Sequence, residues 1–462
     1  DTISGGNGND TIVSVDSGGT VTTIEGDAGE DEFNINNDGT VTNDVNGGDG
    51  DDIFVINGGN VMGTASGDEG ADRFTVRNSG SVDTISGGNG NDTIVSVDSG
   101  GMISTIEGGA GEDEFNINNN GTVTAIEGGI GNDTINVNSG GIITNDVNGG
   151  GGDDIFNVNG GDVTGTASGN EGSDQFTITN NGQITNANGD SGKDRFEVNG
   201  GTITNLDGGD GRDTLSVIDG DNEWEISNLD IGRVDSFNTL GILNSSVDNF
   251  SSIQNLEGGN GLDRLTFTTP QSTISGDIDG KAGELILIGD EINYGGSLSG
   301  TDTLLIRPMT SGQTVRLGRS GNRSASLDLT RREIRGIQSD FSRVTIQSMG
   351  IGGWIRGVRR IRFNNNTTLR ADDRITTANI ITSGHNLIIR SDGSRIATEN
   401  LNARESEGRG GRLRLIADGP IALNGNVNSS GAEGNDITIR SRSSSVSVNA
   451  GSSPRQINSG AT

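Results

Sequence analysis

An aspartate recurs through the first half of the chain every 19 to 21 residues: Asp10, Asp31, Asp52, Asp72, Asp92, Asp113, Asp133, Asp154, Asp174, Asp194 and Asp213. Each closes a turn of the form Gly-Gly-x-Gly-x-Asp, more or less intact, and fully kept in Gly5-Gly6-Asn7-Gly8-Asn9-Asp10. A twelfth, Asp263, ends Gly258-Gly259-Asn260-Gly261-Leu262-Asp263 after a gap. Glycines permit positive φ and let backbone carbonyls turn toward an ion. Carboxylate and carbonyl oxygens are what Ca²⁺ takes, about six to eight of them at about 2.3–2.6 Å. Carboxylates stacked at about 4.8 Å repel one another unless cations sit between them. All twelve aspartates are therefore candidate Ca²⁺ ligands. Ten ions between eleven turns would set +20 against the −32 of residues 1–211. One such turn is a weak signal, because Gly, Asn and Asp are ordinary turn residues. The repetition in register carries the reading.

The elements that would position these residues are short strands. After Asp31, Glu32 to Asn36 alternates, with Phe33 and Ile35 on one face. Asn37-Asp38-Gly39 is a turn, Thr40 to Asn46 a second strand, and Gly47 to Asp52 closes the coil. Two strands and two turns in about 20 residues describe one rung of a parallel β-solenoid, which buries its apolar face only by stacking. Two residues after each aspartate stands a large apolar side chain, from Ile12, Phe33, Phe54 and Phe74 to Phe156, Phe176, Phe196 and Leu215. This column reads as stacked core and not as a cofactor site. A smaller column faces it, including Ile24, Val45, Ala65, Ala167 and Ala187. Residues 1–19 recur unchanged at 83–101. No segment shows sustained helical periodicity.

Three segments are expected: 1–218 as the calcium-binding roll, 219–309 as a transitional solenoid containing Trp224 and the isolated turn, and 310–462 as a basic β-helix. Charge follows this division, since residues 310–462 hold 22 Arg and 12 Asp+Glu. Strand-like alternation continues there, as in Asn386 to Arg390, Arg412 to Ile416 and Asp436 to Arg440.

Residues 1–217 resemble the calcium-binding repeats of the RTX family of secreted bacterial proteins. The resemblance implies a right-handed β-roll, export, and folding only where calcium is abundant. The departure is that the motif occurs once per coil, opposite Asn/Gly turns such as Asn57-Gly58-Gly59 and Asn180-Asn181-Gly182. Calcium is thus expected on one edge, with an amide ladder on the other. Residues 219–290 resemble a repeat of large bacterial, often cyanobacterial, surface proteins, through Trp224 and Asn255 to Asp263. Residues 370–450 are loosely similar to filamentous-haemagglutinin-type β-helices. The whole is thus expected to be an all-β, right-handed parallel β-solenoid.

These readings point to a structural protein outside the cell or on its surface, in a fibre, filament or matrix built by head-to-tail self-assembly. The chain begins inside a repeat and reads as a piece of a longer polypeptide. A glycan-binding adhesin is the alternative, and a polysaccharide-modifying enzyme is a further one. Catalysis is not expected, because the single His385 and single Tyr294 lie in dissimilar contexts and cysteine is absent. An ice-binding face is not expected either, since the third and fifth turn positions vary from coil to coil. No apolar run is long enough to span a membrane. The Arg-rich segment suits an anionic polysaccharide or the acidic end of another copy better than nucleic acid.

Overall fold

The structure is a computed structural model. It describes residues 1–15, 18–218, 220–318, 326–404, 410–429, 436–448 and 457–458. The chain is a parallel β-solenoid of about 20 turns, with about 21 residues per turn. It forms two compact units, 1–217 with 243–253, and 218–242 with 254–462.

In the first unit the coils contribute one strand to one sheet and one or two strands to the other. Glu114–Ile117 pairs in parallel with Thr134–Asn138, setting Phe115 beside Ile135 and Ile117 beside Val137. Across the coil, Met102–Ala110 pairs with Thr122–Ile130, setting Ile106 beside Ile126 and Gly109 beside Gly129. Alternation along each strand sends every second side chain inward. Phe115, Ile117, Val123 and Ile126 are accordingly buried. The phenylalanines expected in one column do stack. Phe33, Phe54 and Phe74 lie with ring centroids 4.7 and 4.4 Å apart, and Phe156, Phe176 and Phe196 at 4.4 and 4.7 Å. A coil repeat that matches strand spacing forces this offset, nearly parallel stacking, which adds to the area the rings bury.

The second unit begins with a departure from parallel pairing. Asp221–Asn228 forms an antiparallel hairpin with Ile231–Phe237, and also pairs in parallel with Asp263–Phe267. Parallel stacking then continues through Leu285–Gly289, Thr303–Arg307, Arg343–Ser348, Thr367–Ala371, Leu387–Ser391, Leu413–Ala417 and Ile437–Ser441. The coil between Thr303–Arg307 and Arg343–Ser348 carries a short helix, Arg331–Gly336. Too short for the periodicity test, it is marked instead by its capping box. Thr330 Oγ1 accepts from the Glu333 N–H, and the Glu333 carboxylate accepts from the Thr330 N–H. No helix among the described residues is long and apolar enough to cross a membrane.

Candidate metal centre

The Gly-Gly-x-Gly-x-Asp turn works because its second and fourth positions reach backbone angles that other residues resist. Gly129 and Gly131 have φ of +119° and +143°. A Cβ on Gly129 would also lie 2.0 Å from the Gly109 carbonyl oxygen of the preceding coil. Conformation and close stacking thus favour glycine together, although Asp27, Asp68, Asn170 and Asp190 take the second position with φ of +78°, +73°, +73° and +66°.

The turn folds its aspartate inward, and the column that results is continuous. The main-chain N–H of Asp10 donates to Asp31 Oδ1, that of Asp31 to Asp52, and so on through Asp194 to Asp213, all at 2.7–2.9 Å. One carboxylate oxygen of each coil therefore caps the backbone of the coil before it. The fifth turn position runs a second ladder in the opposite direction. Glu112 N–H donates to Asn91 Oδ1 at 2.9 Å, and Asp153 N–H to Asn132 Oδ1 at 2.7 Å. Sequence reading missed this role, although Asn or Asp in five of the eleven fifth positions was its visible trace.

The second carboxylate oxygen is different. Oδ2 of Asp10, Asp31, Asp52, Asp72, Asp92, Asp113, Asp133, Asp154, Asp174 and Asp194 is buried with no hydrogen-bond partner. Each faces a notch left by the first glycine of its turn. A Cβ at Gly128 would sit 2.5 Å from Asp133 Oδ2 and 2.3 Å from the Gly149 carbonyl oxygen of the next coil. The corresponding distances are 2.3 and 2.5 Å at Gly26, and 2.4 and 2.3 Å at Gly108. A carboxylate oxygen and a neighbouring carbonyl oxygen thus face the same small space in coil after coil. Among the described residues, no three Asp, Glu, His or Cys side chains gather at one point. Any cation in the column would draw on carboxylates from adjacent turns and on backbone carbonyls, which is a hard-oxygen donor set. In type these donors fit Ca²⁺.

Electrostatics agree with the geometry. Burial pushes the carboxyls of Asp72, Asp92, Asp154, Asp174 and Asp194 up to about 7, and those of Asp52 and Asp133 up to about 6. Asp113 and Asp213 are raised by burial as well. The backbone hydrogen bond opposes the shift in each case, and neighbouring carboxylates reinforce it in most. A column in this condition gains from anything that supplies positive charge at Oδ2.

Asp263 stands apart from the ladder. It is buried, and burial raises its carboxyl to about 7. Its Oδ1, however, accepts from the Asn222 side-chain amide at 2.6 Å, where the ladder elsewhere has an aspartate N–H. Its donor set therefore differs from that of the other eleven.

The opposite edge holds the amide contacts anticipated there. Asn78 Nδ2 donates to Asn57 Oδ1 at 2.5 Å, and Asn138 Nδ2 to Asn118 Oδ1 at 2.7 Å. The adjoining outward face extends them, with Asn136 donating to Asn116 and Asn157 to Asn136. Tyr294 and His385 are not brought together. The buried Tyr294 hydroxyl donates to the Glu333 carbonyl at 2.5 Å, while His385 ends a turn in which the Thr382 hydroxyl donates to its carbonyl. No family model, curated protein or solved structure matches the chain.

Proposed function

We propose that this is a structural protein whose first unit is a scaffold stiffened by cations along the aspartate column, with Ca²⁺ the ion its donors suit. The observation that carries the reading is the run of ten buried Oδ2 atoms without partners, with a carbonyl oxygen of the next coil facing the same notch in seven of the ten turns. Buried carboxylates cost folding free energy unless they are paired, protonated or bound to metal. Calcium would supply the charge that the column lacks, as an electrostatic tie between coils. The residues that would hold it are Asp10 through Asp213, together with the first-glycine carbonyls.

A regular column of equivalent sites suits a load-bearing or surface-covering protein better than a unique reactive centre. Self-association belongs to the same reading. The acidic residues 1–211 and the basic residues 310–462 of different copies attract at contact range, and salt weakens the attraction. Such a protein would work outside the cell, where calcium is plentiful.

The test is a calorimetric Ca²⁺ titration of the chelated protein, followed by thermal unfolding. Binding of several ions per chain with a large rise in Tm is expected. Identical unfolding in chelator and in millimolar Ca²⁺ would refute the proposal.

A further inference from the structure

We infer that the second unit carries a binding site for an anionic polysaccharide, on a basic cavity formed around the Arg331–Gly336 helix. The cavity has a volume of about 580 Å³, and Arg331, Arg335, Arg360 and Arg362 line it. All four arginines are exposed, and among the described residues none has an ion-pair partner. Several other arginines of this unit are neutralised: Arg370 and Arg390 share Asp392, and Arg442 pairs with Asp418. Four unpaired guanidinium groups around one cavity stand out in a chain of net charge −33.

The cavity is firmly built. Arg331 and Arg335 fall one turn apart on the helix, so they share a face. The capping box fixes the helix start, the Tyr294 hydroxyl holds the Glu333 carbonyl, and Arg332 donates to the Gly295 carbonyl at 2.8 Å. Strand pairing of Ile361–Arg362 with Ile380–Ile381 turns Arg362 outward while burying Ile361.

The lining chooses among anions. Ile334, Ile361 and Ile381 provide an apolar floor, Asn364 a neutral amide, and among the described residues no aromatic ring lines the space. Single-stranded nucleic acid is usually held by base stacking on aromatic side chains. A sugar ring instead offers an apolar C–H face to the floor while its carboxylate or sulfate meets the guanidinium forks. The site is independent of the aspartate column, because all its residues belong to the second unit.

The test is titration of the 462-residue chain, in calcium, with hyaluronate oligosaccharides as the carboxylated probe and chondroitin sulfate as the sulfated one. Neutral dextran is the control. Saturable binding to at least one charged probe and none to dextran is expected. The surface variants Arg331→Gln with Arg335→Gln, and Arg360→Gln with Arg362→Gln, should each weaken it roughly tenfold. Arg414→Gln with Arg440→Gln, an exposed pair elsewhere in the unit, should leave affinity unchanged. Absence of binding to both charged probes, or equal loss in the Arg414/Arg440 variant, would overturn the inference. Tighter binding of single-stranded RNA through the same arginines would reassign the site to nucleic acid. Self-association abolished by the same substitutions, with no glycan binding, would reassign it to a second copy.

Discussion

The main-chain N–H of Asp113 donates to Oδ1 of Asp133 in the following coil, 2.8 Å away, while Oδ2 of Asp133 points into the turn with no partner. The two oxygens of one carboxylate thus have separate duties. One is a backbone cap that needs only an acceptor, and the other is a buried charge that needs a cation or a proton.

Substitution separates the two duties. Asp133→Ala removes the cap and leaves the Asp113 N–H buried and unsatisfied, at a cost of about 1–3 kcal/mol with or without Ca²⁺. Asp133→Asn keeps the Oδ1 acceptor and removes the charge. In chelator it should be neutral or stabilising, and in Ca²⁺ it should lose part of the metal-dependent gain. Because coils interact chiefly with their neighbours, hydrogen exchange on the turns near Asp113, Asp133 and Asp154 is the appropriate readout. Equal destabilisation by Asn in both conditions would show that the charge at Oδ2 has no cation to serve.

The notch beside the first glycine can be filled directly. The Cβ of Gly128→Ala would lie 2.3 Å from the Gly149 carbonyl oxygen and 2.5 Å from Asp133 Oδ2. Overpacking of this kind costs about 1–3 kcal/mol. It should also lower the number of ions bound in a calorimetric titration while leaving distant coils protected. Unchanged stoichiometry would place the cation elsewhere in the turn.

The aromatic column offers a test of packing alone. Phe176 stacks on Phe156 and Phe196 with interplanar angles of 6° and 16°. Phe115 lies instead between Ile94 and Ile135. Both rings are fully buried. Phe176→Leu should therefore cost more than Phe115→Leu, by about 0.5–1.5 kcal/mol for each stacked pair lost. Local hydrogen exchange at the two coils would measure the difference, and equal costs would mean that stacking adds nothing beyond burial.

Legibility in the sequence followed the repeat. The two-strand coil, the Phe column and the aspartate register could be read because the same physical demand recurs every coil, so each position was sampled about eleven times. What could not be read were details that periodicity does not encode. The donation from Asp113 to Asp133 depends on which carboxylate oxygen turns inward. The hairpin of Asp221–Asn228 with Ile231–Phe237 occurs once, so no register exposes it. The Arg331–Gly336 helix is shorter than two turns, and only Thr330 and Glu333 announced it. The arginine cavity joins residues of that helix to Arg360 and Arg362 through strand order, which spacing along the chain conceals.

The last prediction concerns protons and cations competing for one oxygen. Without metal, burial raises the folded-state carboxyls of Asp72, Asp92, Asp154, Asp174 and Asp194 to about 7 from the ordinary aspartate value of 3.8. The folded state therefore binds protons that the unfolded state releases between those limits, so stability falls as pH rises. This contribution is fully present below about pH 4 and is lost as pH passes through about 7. In chelator the Tm of the first unit should decline from pH 4.5 to pH 8. Saturating Ca²⁺ should flatten or reverse that decline, because the ion holds the ionised form. Asp72→Asn with Asp92→Asn should make the chelated slope shallower, which ties the effect to the column and not to exposed acidic residues. A chelated Tm that rises across this range, or a slope unaffected by the double variant, would remove the buried carboxylates as its cause.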